Sequence, residues 1–197
     1  SPGQQTPDAI IRGLRSSSQT RFQQAEELAG MLRMEQSYPE LKTSRELAVG
    51  LGELLSEQVQ EAASEPEEDS ESAIRMRMFL CASLGEFHVD EPLPWLLDAA
   101  RNDPNGHVRR RAIGAAAVLA GWFADQDPPQ SLADAELAAV LAAMADSEDA
   151  LDRSAAAFTL GVFAAGPGAD PQLRELLAEL VGDFYFDARY NAATGLA

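Results

Sequence analysis

The chain has 197 residues, with 32 acidic against 15 basic side chains, a formal net charge of −17 and 46% apolar content. That length suits one compact domain or one array of smaller units, and the apolar share is too high for a disordered chain. The negative field disfavours nucleic acid and anionic lipid as partners, while 17 β-branched residues beside 35 alanines point to helices rather than sheets.

Residues 1–5 read as a tag remnant or domain edge rather than a signal peptide. No stretch approaches the roughly 18 uninterrupted apolar residues of a membrane span, and a cytoplasmic setting is favoured. Cys81 stands alone, which excludes an intrachain disulfide framework and a cysteine-rich zinc site.

Five units follow in chain order. In the first, residues 6–36, Thr6 caps a helix with Pro7 at its first position, and Pro7, Ile10, Ile11 and Leu14 form an apolar stripe with 3, 1, 3 spacing. Arg21, in TRFQQAEELAG, opens a second, small-residue helix. In the second unit, residues 38–88, Leu51, Leu54 and Leu55 form the stripe and Arg77, in RMFLCASLG, opens the second helix. An acidic insertion, SEPEEDSES at 64–72, reads as a solvated loop between them. Arg45, in SRELAVGLG, offers a competing register in which residues 38–63 hold a degenerate repeat instead of one long helix.

The third unit, residues 92–125, carries Leu93, Leu96, Leu97 and Ala100, a turn NDPNG, and Arg109 in HVRRRAIGAAAVLAG. The fourth, residues 131–166, is predicted to be capped by Ser131 or Asp134. Its stripe is Leu137, Val140, Leu141 and Met144, followed by the turn DSED and Arg153 in LDRSAAAFTLG. The fifth, residues 170–197, starts at Asp170 and Pro171, continues with Leu173, Leu176, Leu177 and Leu180, and has Arg189 in DARYNAATGLA. From the last stripe residue to the arginine the count is 7 in the first unit and 9 in each of the last three, a phase that unrelated helices would not keep. The chain stops at Ala197 inside a predicted helix, so a longer parent array is expected.

These helix-turn-helix units, with aspartate in the turn, Val-Arg or an equivalent opening the second helix, then Ala-Ala and Leu-Gly, resemble HEAT repeats, particularly the short bacterial units also seen in phycobilisome lyase subunits. The resemblance implies an all-α, right-handed α-α superhelix of about five stacked helix pairs, with first helices on the convex side and second helices lining the concave side. It also implies a structural ladder in which each arginine pairs with a turn aspartate, here Asp103, Asp146 and Asp183 with Arg109, Arg153 and Arg189. Stacking has its own physical motive, because one amphipathic pair cannot bury its stripe alone. Ala156, Ala157, Ala192 and Ala193 are expected to let second helices approach closely.

Arg75, Arg77, Arg109, Arg110 and Arg111 crowd the start of two adjacent second helices, with His107 in phase beside Arg75. Cations there oppose the helix dipole, so carboxylate partners are implied. Internal charge balance, with the acidic insertion as donor of carboxylates, is the first reading. The sharper one is a small anion-recruiting patch on the concave face. Tyr185 and Tyr190, with Phe184 and Phe186, are candidate contacts at the last turn and read as the surface that a further unit would cover. Trp95, Trp122, Phe123, Met76 and Met78 are expected in the core.

No phosphate-cradling glycine loop or nucleophile elbow is present, and His88 and His107 lack zinc-type spacing. The acid-rich segments 57–71 and 125–152 lack the EF-hand pattern, so no metal is predicted. The expected function is a non-catalytic scaffold, without a cofactor, that binds a protein or peptide segment on its concave face. The alternative is an accessory subunit of a lyase or other modifying enzyme resembling bilin lyase subunits. The sequence leaves the oligomeric state open.

Overall fold

The computed structural model describes residues 5–17, 19–34 and 38–197. Among these, eleven α-helices follow one another: α1 (Pro7–Arg15), α2 (Thr20–Arg33), α3 (Pro39–Lys42), α4 (Arg45–Ser64), α5 (Glu71–Gly85), α6 (Pro92–Asn102), α7 (Gly106–Ala124), α8 (Leu137–Ala145), α9 (Ala150–Ala164), α10 (Pro171–Leu180) and α11 (Phe186–Leu196). Helices α1, α4, α6, α8 and α10 pack in succession as one layer, and α2, α5, α7, α9 and α11 as the other. Each first helix also packs on its own second helix, which makes the chain an all-α repeat solenoid.

Local chemistry sets the helix starts. Thr6, Ser44 and Ser70 each accept a hydrogen bond from the backbone N–H three residues on, at Ala9, Leu47 and Ala73. Asn105, Asp149 and Asp170 accept from the N–H two residues on. These side chains satisfy donors that the first helical turn leaves open. Prolines 7, 39, 92 and 171 occupy opening positions where no N–H is needed.

The stripes point inward. Ile10, Leu14, Leu93, Leu96, Leu97, Leu137, Val140, Leu141, Leu173, Leu177 and Leu180 are buried in one continuous cluster that runs the length of the array. Burying a leucine of this kind contributes about 2 kcal/mol, so the first-helix layer is held chiefly by its stripe. The second-helix layer is held by closeness. A Cβ built on Gly161 would lie 3.0 Å from the Gly195 Cα, and one on Gly85 would lie 2.9 Å from the Ala115 carbonyl oxygen. Relative to the repeat arginines Arg77, Arg109, Arg153 and Arg189, both contacts join the eighth residue on from one arginine to the sixth residue on from the next. The same register therefore makes the closest approach in two different pairs. Ala156, Ala157 and Ala192 are buried in this layer, whereas Ala193 is exposed.

Three expectations are revised. In the second unit one long first helix, α4, is present rather than a degenerate repeat, but it starts only at Arg45, after the short α3, and its apolar stripe extends past Leu55 through Val59 and Ala62. Its extra length is thus mostly helix: α5 begins at Glu71 rather than at Arg77, and only residues 65–70 lie between, with a 3-10 turn at Pro66–Glu68. The fourth unit's first helix begins at Leu137 without a side-chain cap. Ser131 instead donates its hydroxyl to the Pro167 carbonyl, and Asp134 accepts from the Glu136 N–H ahead of the helix. Trp95, Trp122 and Phe123 are only partly buried: Trp122 stacks on His88 at 4.1 Å between ring centroids, with Phe123 edge-on.

Candidate functional site

Each of the last three second helices carries its repeat arginine as the fourth residue. From there the side chain reaches backward and forward at once. Arg153 donates Nη1 to the carbonyls of Ser147 and Glu148 in its own turn, at 2.9 and 3.1 Å. Its Nε and Nη2 donate to the Asp183 carboxylate of the next unit, at 2.7 and 3.1 Å. Arg109 likewise holds the Asp103 and Pro104 carbonyls, and Arg189 those of Asp183 and Phe184. One guanidinium thus closes its own turn and clamps the following unit.

The turn residue six before the arginine repeats its own geometry. Asp103 accepts from the Asn105 N–H at 2.9 Å and Asp183 from the Tyr185 N–H at 2.7 Å. In the fourth unit that position is Ser147, whose hydroxyl accepts from the Asp149 N–H at 3.1 Å. Asp146, the expected ladder member, is therefore one residue out of register: it is exposed and takes part in no ion pair among the described residues. The carboxylate that serine lacks comes from Asp152, which accepts from Nε and Nη2 of Arg109 at 3.1 and 2.8 Å and from Arg110 at 2.8 Å. Asp183, gripped by Arg153, is held below the usual carboxylate range.

Arg77 occupies the same place in the second unit and is 1% exposed. Its Nε donates to Asp103 at 2.7 Å, and its terminal nitrogens hold Asp69 of the acidic segment at 2.8 and 2.6 Å. Burial opposes the charge of Arg77, but its hydrogen bonds to the Asp69 and Asp103 carboxylates outweigh it and raise the pKa above the ordinary arginine value. Four hydrogen bonds tie Arg77 to Asp69 and Asp103, and four tie Arg109 to Asp152 and to its own turn, so both belong to the ladder rather than to an open patch.

The other candidates divide. His107 and Arg111 are exposed on α7 and line an open groove of about 690 Å³ between α5 and α7, with Met78, Ala82 and Val118 on its walls. Arg110 also lines it but is tied to Asp149 and Asp152. Arg75 is exposed outside the lining. Arg33 of α2 enters the same groove, a contribution that sequence spacing did not reveal because it lies two units away. Tyr185 and Tyr190 sit apart, at the far end of the array. There Phe186 stacks with Tyr190 at 6.2 Å between centroids, Arg189 lies over Phe186, and Asp187 raises the Tyr185 phenol above its ordinary pKa.

Register comparison along the second helices exposes what differs. Two residues before the repeat arginine stand Arg75, His107, Leu151 and Asp187; five after it stand Ala82, Gly114, Phe158 and Thr194. Leu151 and Phe158, 47% and 54% exposed, thus place an apolar patch on α9, beside the basic residues of α7. Neither was singled out from sequence, although both fall off the buried phase of their helix and are detectable on that ground.

Residues 67–161 match the family model for HEAT repeats. That stretch is a run of HEAT repeats. The match spans the second helix of the second unit, the whole third unit and most of the fourth, the stretch in which the arginine ladder is fully paired. No curated protein matches the chain. HEAT repeats generally mediate protein–protein interaction. No helix among the described residues of this HEAT array is long and apolar enough to cross a membrane.

Proposed function

We propose that the array is a non-catalytic interaction scaffold that holds a segment of a protein partner along the face of its second helices. The observation that carries this reading is the contrast between phases of one helix layer. Inward positions repeat small and aliphatic residues, whereas outward positions at the same register differ from unit to unit and include large apolar groups. Val118, Leu151 and Phe158 are each about half exposed on neighbouring helices. Apolar surface grouped in this way on an otherwise strongly charged molecule marks a contact surface. The ladder supplies the rigidity such a surface needs, because each guanidinium fixes one unit to the next without using the outward face.

Selection from a random peptide library displayed on phage tests the proposal. Peptides should be enriched whose binding is lost in the Leu151→Ser, Phe158→Ser double variant and kept in Glu175→Ser, which alters an exposed residue of the opposite layer. Binders indifferent to the first variant would overturn it.

A further inference from the structure

The whole molecule carries a charge of −17, and nonspecific attraction would draw basic partners to it. The groove between α5 and α7 runs against that field. Arg33 and Arg111 line it, and neither makes an ion pair with a described residue. His107 stands beside them, Arg110 is neutralised by Asp149 and Asp152, and among the described residues Glu86 is the one carboxylate in the lining. Arg111 lies in the second turn of α7, where the helix dipole gives a cation no favourable interaction. The apolar patch of Leu151 and Phe158 follows on the next helix of the layer, and the half-exposed Val118 lines the groove on α7.

We infer that the scaffold's partner is an acidic peptide segment, with carboxylates seated over Arg33, His107 and Arg111 and an apolar side chain over Leu151 and Phe158. The inference rests on the scaffold reading above and adds the partner's chemistry. Charge complementarity carries it: a locally basic groove on a strongly acidic chain selects for acid only within the groove and repels acidic segments elsewhere, which sets the docking register as well as the partner. Geometry fixes the spacing. Stacked helices lie about 8–10 Å apart, so the acidic and apolar anchors are separated by about three residues of extended chain at roughly 3.3 Å each. In a helical partner the same span takes about six residues at roughly 1.5 Å each.

Two displayed peptide libraries, identical except that fixed alternate positions are Glu in one and Lys in the other, test this on the intact chain. The Glu library is expected to yield binders that weaken about tenfold with Arg111→Glu or Arg33→Glu, and about tenfold again between 50 and 500 mM salt. The same binders should be unaffected by Arg12→Glu on the exposed side of α1. All three positions are exposed, so these variants leave the core intact, and circular dichroism verifies it. Binders from the Lys library alone, dependent on Phe158 and indifferent to Arg111, would overturn the acidic-segment inference and leave the scaffold reading standing. Absence from both libraries of any binder that depends on this face would overturn both.

Discussion

Arg109 is clamped by Asp152, a residue inside the next unit's second helix, and not by an aspartate in that unit's turn. Elsewhere the turn supplies the carboxylate, as Asp103 does for Arg77 and Asp183 for Arg153. Ser147 stands where that aspartate would be, and its hydroxyl reaches Asp152 at 3.3 Å. The array has kept the ion pair while moving its negative partner five residues along the chain.

This exchange predicts a rescue. Asp152 is 2% exposed and compensates two guanidiniums, so Asp152→Ser should cost about 3 kcal/mol by leaving Arg109 and Arg110 without their shared carboxylate. Adding Ser147→Asp in the same chain restores the arrangement of the flanking units and should recover at least half of the loss. Urea denaturation of the wild type, both single variants and the double variant measures the coupling. Additive effects would show that residue 147 and residue 152 are not alternative sources of one charge.

Asp183 gives the ladder a pH signature. Its carboxyl is held below the ordinary value, first by the hydrogen bond from Arg153 and then by the Tyr185 N–H. A depressed folded-state pKa contributes stability above the unfolded pKa of about 4, and that contribution is lost as pH falls through the lower folded value. Asp183→Asn should therefore lower Tm at pH 7 by several degrees, and the gap to wild type should shrink steadily below about pH 4. Taking the difference between the two proteins removes the relief of general repulsion that acid brings to a chain of net charge −17. A gap that stays constant down to pH 2.5 would show that the carboxylate is not stabilised by its pair.

Cys81 lies in the C-terminal half of α5, fully buried, and burial together with the nearby Asp103 carboxylate pushes its thiol well above the usual range. Thiolate forms only when the helix opens. Labelling by a disulfide reagent at pH 8 should be at least about a hundredfold slower in the folded protein than in 8 M urea, and should accelerate in Arg77→Met, which loosens the same helix. Equal rates in folded and unfolded chains would contradict the packing of α5.

Periodicity made the layers legible before any coordinate was known, because Leu173, Leu176, Leu177 and Leu180 and their counterparts at 93 and 137 fall on one face of a helix whatever the helix packs against. The arginine phase was legible for the same reason. What escaped was the identity of partners across units. Asp146 and Ser147 differ by one residue in the turn, and only the backbone decides which of them accepts from the N–H two places on. Asp152 looked like one acid among many in a base-free stretch. Arg33 lines one groove with His107 and Arg111 only because α2, α5 and α7 stack, which brings together residues more than seventy positions apart. The start of α5 was hidden by composition: Glu71 and Ser72, its opening residues, read as the end of the acidic insertion, so the helix begins six residues ahead of Arg77.

Two glycines of one groove should respond oppositely to the same substitution. Gly85 and Gly114 both line the space between α5 and α7; Gly114 lies inside α7, where alanine is intrinsically favoured by about 1 kcal/mol, and Gly85 is the last residue of α5, where alanine is favoured less. At Gly114 a Cβ would meet nothing within 4 Å, so Gly114→Ala should gain most of that propensity and raise Tm by a few degrees. At Gly85 a Cβ would lie 2.9 Å from both the Cβ and the carbonyl oxygen of Ala115, and backbone cannot swing aside as a side chain can. Gly85→Ala should therefore force α5 and α7 apart and lower Tm despite the better propensity, with the loss reduced in Ala115→Gly. A stabilising Gly85→Ala would mean that the second helices are not packed as closely as the Gly85–Ala115 contact requires.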